Sequence, residues 1–126
     1  MVNGPAASPD ERPRVLVAED DFLIAMDLES LLAEEGWQVV GPVATVAAAL
    51  RSIEEGPLDA ALLDINLGGE RVAPVAKGLR DRSVPFVLVS GYTQAQSLEE
   101  ELAGAPRVNK PFEAREIVRA VRKMLS

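Results

Sequence analysis

Glu19-Asp20-Asp21, Asp64, Ser90 and Lys110 each fall at the end of a short run that reads as a strand, and side chains at the ends of neighbouring strands meet at one edge of a sheet. Glu19, Asp20 and Asp64 brought together there would repel one another, and ionised carboxylates are costly in a partly dry cleft unless something positive joins them. Magnesium, or manganese in its place, fits this donor set. It takes a few carboxylate oxygens and fills its remaining octahedral positions with water and a phosphoryl oxygen. Lys110 adds a compact positive charge suited to a carboxylate or a single phosphoryl oxygen, and Ser90 adds a hydroxyl donor. Together these groups describe phosphoryl transfer to an aspartate, where catalysis is mostly positioning and charge neutralisation.

Each piece has a plainer use when taken alone. Glu19-Asp20-Asp21 would serve as an acidic first helical turn, Ser90 as a small polar residue closing a strand, and Lys110-Pro111 as a strand-to-helix junction. The chemical reading rests on their occurring together, in order. Composition narrows it further: the 126 residues include no cysteine and no histidine. Thiolate nucleophiles, zinc-cysteine sites, Ser-His-Asp catalysis and His-ligated metals are therefore excluded. Thirteen Lys+Arg against twenty Asp+Glu leave a formal charge of -7, which argues against direct binding of nucleic acid through a basic surface. No apolar run approaches the roughly 18 to 20 residues of a membrane helix, and the N-terminus lacks a basic segment followed by a hydrophobic one, so a cytoplasmic location is expected.

The elements that must position these groups follow from the apolar pattern. Val15-Leu16-Val17-Ala18 and Ala60-Ala61-Leu62-Leu63 are apolar on both faces, as central parallel strands are. Trp37 to Gly41, Pro85 to Val89 and a short Arg107-Val108 supply three more strands. Helices are expected from Asp21 to about Glu35, with Ile24, Leu28, Leu31 and Leu32 on one face, and from Thr45 to about Glu55, with Val46, Ala49, Leu50 and Ile53 buried. Three further helices are placed near Val72 to Arg82, over Gln94 to Ala103, and from Phe112 to Leu125, the last burying Ile117 and Val121. Gly68-Gly69 reads as a flexible loop. Residues 1–13 mix proline, glycine and charge and read as a mobile tail before a single domain over 14–126. Five βα units with one helix per crossover imply an α/β fold, a doubly wound, five-stranded parallel sheet covered on both faces.

Val15-Leu16-Val17-Ala18-Glu19-Asp20-Asp21, Leu62-Leu63-Asp64-Ile65-Asn66-Leu67, Val89-Ser90-Gly91 and Asn109-Lys110-Pro111-Phe112 together resemble the receiver domain of two-component response regulators. The likeness covers nearly the whole chain after the tail. It implies a flavodoxin/CheY-like (βα)5 fold with strand order 2-1-3-4-5, and a stand-alone signalling switch, with no effector domain in this chain, that catalyses its own phosphorylation without being a turnover enzyme. By resemblance, Asp64 would be the phosphoacceptor. Its donor would be a phosphohistidine on a sensor histidine kinase or a histidine phosphotransfer protein. Asp20 and Asp64 would ligate magnesium, with the Asn66 backbone carbonyl as a third ligand and Glu19 acting through water. Lys110 would contact the phosphoryl group. Ser90 would swing toward it and carry the following loop, with Asn66, Gly91 and Tyr92 as tuning positions.

The chain departs from the family at Arg107, where a tyrosine or phenylalanine three residues before the lysine usually rotates inward. Pro85-Phe86-Val87-Leu88-Val89-Ser90-Gly91-Tyr92 partly resembles a receiver subgroup marked by a Phe-Ala-Thr-Gly motif beside a tyrosine; Leu88, Val89 and Ser90 replace Phe, Ala and Thr. Tyr92 is expected to be a surface aromatic that helps screen the phosphoryl group from water. The acidic Leu98-Glu99-Glu100-Glu101 and the basic Arg115, Arg119, Arg122 and Lys123 offer complementary faces for a homodimer or a downstream protein, through the fourth helix, fifth strand and last helix. Two rival functions use related parts. A flavodoxin-like FMN carrier needs a phosphate cradle after the first strand, where Glu19-Asp20-Asp21 would repel FMN. An aspartate-nucleophile phosphohydrolase of the haloacid-dehalogenase type needs a second aspartate where Asn66 stands.

Overall fold

The apolar runs at Val15, Ala60 and Phe86 pair side by side because each buries both faces, and they form the centre of a parallel sheet. The computed structural model describes residues 12–91, 100 and 102–126. Its elements in chain order are β1 (Arg14–Ala18), α1 (Phe22–Glu34), β2 (Gln38–Val43), α2 (Val46–Glu55), β3 (Ala60–Asp64), β4 (Asn66–Leu67), β5 (Glu70–Arg71), α3 (Ala73–Asp81), β6 (Phe86–Ser90), β7 (Arg107–Asn109) and α4 (Ala114–Leu125). The main sheet runs β2-β1-β3-β6-β7, with every pairing parallel. This is the expected order 2-1-3-4-5 with the count shifted by a small antiparallel hairpin, β4–β5.

The two faces of the sheet bury separate cores. Leu16, Ala18, Ala61, Leu63, Phe86 and Leu88 face α2 and α3 through Val46, Ala49, Ile53, Val75, Ala76 and Leu79. The alternate residues Val15, Val17, Leu62, Val87, Val89 and Val108 meet Leu28 and Leu32 of α1 and Ile117 and Val121 of α4. The two-residue period of the strands thus divides one hydrophobic run between two layers. Thr45 caps α2, its hydroxyl accepting the Ala48 N–H at 3.1 Å. Among the described residues no helix is long and apolar enough to cross a membrane.

Three local readings are corrected. Gly68 and Gly69, expected as a flexible loop, form the turn of β4–β5 with φ of +56° and +87°, the left-handed pair that a two-residue hairpin turn requires. The second strand does not stop at Gly41 but continues to Val43. Gly41 has φ +97°, and a Cβ there would lie 2.7 Å from the Val43 nitrogen, so glycine lets the chain bend without breaking the strand. The last helix begins at Ala114, two residues after the expected start, because Glu113 and Glu116 form a reciprocal cap with the Glu113 N–H donating to Glu116 Oε1 at 2.8 Å. Pro13, placed in the tail, accepts the Gln38 N–H at 2.8 Å. Tyr92 and most of the helix expected over Gln94 to Ala103 lie outside the described residues.

Candidate functional site

The acidic triplet after β1 divides its labour. Glu19 continues the strand, its N–H donating to the Val43 carbonyl at 2.9 Å, and its side chain turns inward to 2% exposure. Asp21 is the helix cap: Oδ1 accepts the N–H groups of Leu23 and Ile24 at 3.0 and 3.1 Å. Its own N–H donates to Glu19 Oε2 at 2.9 Å. Asp20, between them, is exposed, and its Oδ2 accepts the Gly68 N–H at 3.1 Å. The plain role of an acidic helix start therefore falls to Asp21, while Glu19 and Asp20 are directed to the sheet edge. The sequence signal for the Gly68 donor is the Gly-Gly pair, which suits a tight turn as well as a flexible loop.

Asp64 ends β3 beside them and is largely buried. One carboxylate oxygen from each of Glu19, Asp20 and Asp64 lies within 4.8 Å of the others. Lys110, one residue past β7, closes the group: its ammonium lies 2.8 Å from Glu19 Oε1 and 3.0 Å from Asp64 Oδ2. The Lys110 N–H donates to the Ser90 carbonyl at 2.7 Å, which ties the lysine to the end of β6. The Asn66 N–H donates to Asp64 Oδ1 at 3.4 Å. Asp20, Glu19, Asp64, Asn66 and Lys110 thus converge, and all the potential cation donors among them are oxygens.

Burial pushes the Glu19 carboxyl up from an ordinary 4.5 to about 7, and the bonds from Lys110 and the Asp21 N–H only partly offset it. Burial by itself would lower the Lys110 ammonium, but its bonds to Glu19 and Asp64 outweigh that and hold it above its ordinary value. A carboxyl with a raised value favours folding in its protonated form. The Glu19 contribution to stability is therefore full below about pH 4.5 and is lost as pH rises through about 7.

Ser90, fully buried, points its hydroxyl at Arg107, whose Nη2 donates to Oγ at 2.8 Å. Arg107 stands where the expected aromatic is missing, on the strand next to Ser90. Gly91, directly after β6, is partly buried.

A family model for the response regulator receiver domain matches residues 15–122. The solution structure of SdrG from Sphingomonas melonis Fr1 is similar at 39% identity with a TM-score of 0.78, covering 95% of this chain and 100% of that one. SdrG in its BeF3-activated conformation gives 40% identity and a TM-score of 0.73 over 90% and 96% of the two chains. The receiver domain of sensor histidine kinase PA1611 from Pseudomonas aeruginosa PAO1, with magnesium coordinated in its active site cleft, is 26% identical at a TM-score of 0.78 over 90% and 98%. TorR, a transcriptional regulatory protein of Escherichia coli O157:H7, is 34% identical over 115 residues, 88% of this chain and 49% of that protein. The chain thus spans about half the length of TorR.

Proposed function

The chain belongs to the response regulator receiver domain family, and from that premise we propose that it is a phosphoacceptor switch of a two-component pathway with Asp64 as the acceptor. The observation that carries this is the convergence of Asp64 with one ammonium at 3.0 Å and two further carboxylates within 4.8 Å. An Asp64 oxygen attacks phosphorus of a phosphohistidine on a sensor kinase or phosphotransfer protein. The O–P bond forms as the P–N bond breaks, and the imidazole leaves with the electron pair. The chain contains no histidine, so the donor imidazole belongs to the partner. Phe22 and Leu23, 73% and 71% exposed beside Asp20, supply apolar surface on which that partner can seat. The domain modifies itself and is released with the product attached, a switch and not a turnover enzyme. Its acidity favours a protein partner over nucleic acid, and the cytoplasm is its expected place.

The donor set fits a hard divalent cation. With Glu19 ionised, three carboxylates and one ammonium leave a net charge of -2, which Mg2+ or Mn2+ would cancel, and every donor is oxygen. Asp20, Asp64 and the Asn66 backbone carbonyl would hold it, Glu19 through water. When bound it would neutralise phosphoryl oxygens. Lys110 holds one oxygen each of Glu19 and Asp64 and presents its remaining proton to the incoming group, while Ser90 supplies a hydroxyl donor; Gly91 and Tyr92 are tuning positions.

Incubation with acetyl phosphate and Mg2+, followed by intact-mass spectrometry, should give one phosphoryl adduct that a chelator prevents; absence of any adduct would overturn the reading. A second result concerns pH. Cation binding requires the ionised Glu19, so below pH 7 the proton held by burial must be expelled. Mg2+ affinity is expected to rise with pH, by up to roughly tenfold per unit, and to level off above about pH 7. Calorimetry in buffers of different ionisation heat measures the released proton; affinity that does not change with pH would remove Glu19 from the site.

A further inference from the structure

We propose that Arg107 is a positioning residue that latches the Ser90 hydroxyl toward the edge strand until a phosphoryl group on Asp64 draws it away; the proposal rests on the phosphoacceptor reading above. Arg107 pairs in register with Leu88, and Asn109 with Ser90, so Arg107 and Ser90 belong to the same face of the sheet, two residues apart along the pleat. Their side chains meet in a hydrogen bond of 2.8 Å from Nη2 to Oγ. In the sheet order, β7 lies on one side of β6 and β3, which carries Asp64, lies on the other. The bond therefore draws the hydroxyl away from the acceptor strand.

The guanidinium is always charged and its donors are fixed in a planar fork, so this is a charge-assisted bond with a defined direction. Ser90 is fully buried, which keeps water from replacing the arginine cheaply. A phosphoryl oxygen on Asp64 offers the hydroxyl a stronger acceptor, but taking it means giving up Arg107. The free protein is thus biased toward the latched arrangement, and a phosphoryl ligand binds more weakly by the fraction of molecules that are unlatched. An arginine in place of an inward-turning ring changes the control of the serine from a space that must be filled to a bond that must be broken.

Beryllofluoride with Mg2+, titrated into 15N-labelled protein and followed at the backbone amides of Ser90 and Gly91, reads this bias. Arg107→Met, which keeps the stem and removes the donors, is expected to bind roughly fivefold more tightly than the parent. The gain should vanish when Ser90→Ala is present in both members of the comparison, which a merely structural effect of Arg107 would not produce. If Arg107→Met loses the native amide spectrum, Arg107→Leu, which also lacks any donor, carries the same comparison. An unchanged or weaker affinity, or an equal gain in the Ser90→Ala background, overturns the latch alone. Failure of the parent itself to bind beryllofluoride overturns the phosphoacceptor reading and the latch with it.

Discussion

Asp64→Asn is expected to reduce phosphoryl uptake from acetyl phosphate by at least about a hundredfold, to the limit of detection by intact mass. The amide matches the carboxylate in shape but has no anionic oxygen with which to attack phosphorus. The fold should survive, because the substitution removes one of three mutually repelling carboxylates and leaves Glu19 to hold Lys110 at 2.8 Å. Part of the push on the Glu19 carboxyl comes from the charge of Asp64, so Glu19 should titrate at lower pH in the variant. That second readout shows that the site is intact when the adduct is absent. Asp20→Asn is the informative contrast: it keeps the nucleophile and weakens the cation site, so the adduct should form slowly and need more Mg2+. Equal adduct on the parent and Asp64→Asn would sink the assignment of the acceptor.

The strand ends were legible because burial leaves a plain mark in the sequence. Val15 to Ala18 and Ala60 to Leu63 are apolar without interruption, and the first polar residue after each, Glu19 and Asp64, marks the carboxyl end of its strand. Four such strand ends set Glu19, Asp20, Asp64, Ser90 and Lys110 along one edge of the sheet. The division of the acidic triplet was not legible. Three adjacent carboxylates carry the same charge, and only the backbone turn at Asp21, which caps α1 through Oδ1, decides which points inward. The hairpin at Asn66–Arg71 was hidden for a related reason: two glycines permit both a mobile loop and a tight left-handed turn, and the choice depends on Leu67 being fully buried. The bond between Arg107 and Ser90 joins side chains of two strands separated by 17 positions. Its existence depends on register, which spacing along one chain does not encode.

Lys110→Met tests the electrostatics of the site, because it should move two measurements in opposite directions. The Lys110 side chain is 20% exposed and its ammonium bridges Glu19 and Asp64; methionine keeps most of the stem and removes the charge. Breaking a buried pair leaves uncompensated carboxylates, but here Glu19 can escape by taking a proton, since its carboxyl already titrates near 7. The expected loss without metal is therefore about 2 kcal/mol near neutral pH, below the usual range for a buried pair. It should shrink as the solution is acidified toward the ordinary carboxylate range and be restored by millimolar Mg2+. The same substitution removes a cation that competes for the carboxylates, so Mg2+ should bind about tenfold more tightly. Phosphoryl uptake should nevertheless fall by roughly a hundredfold, the usual effect of deleting one preorganised donor to a developing charge. Urea unfolding across pH, Mg2+ titration and the rate of adduct formation measure the three effects on one variant. Tighter metal with slower transfer cannot come from simple loss of structure, which would weaken both. Weaker Mg2+ binding, or an unchanged rate, would mean that Lys110 only ties down the carboxylates and takes no part in receiving the phosphoryl group.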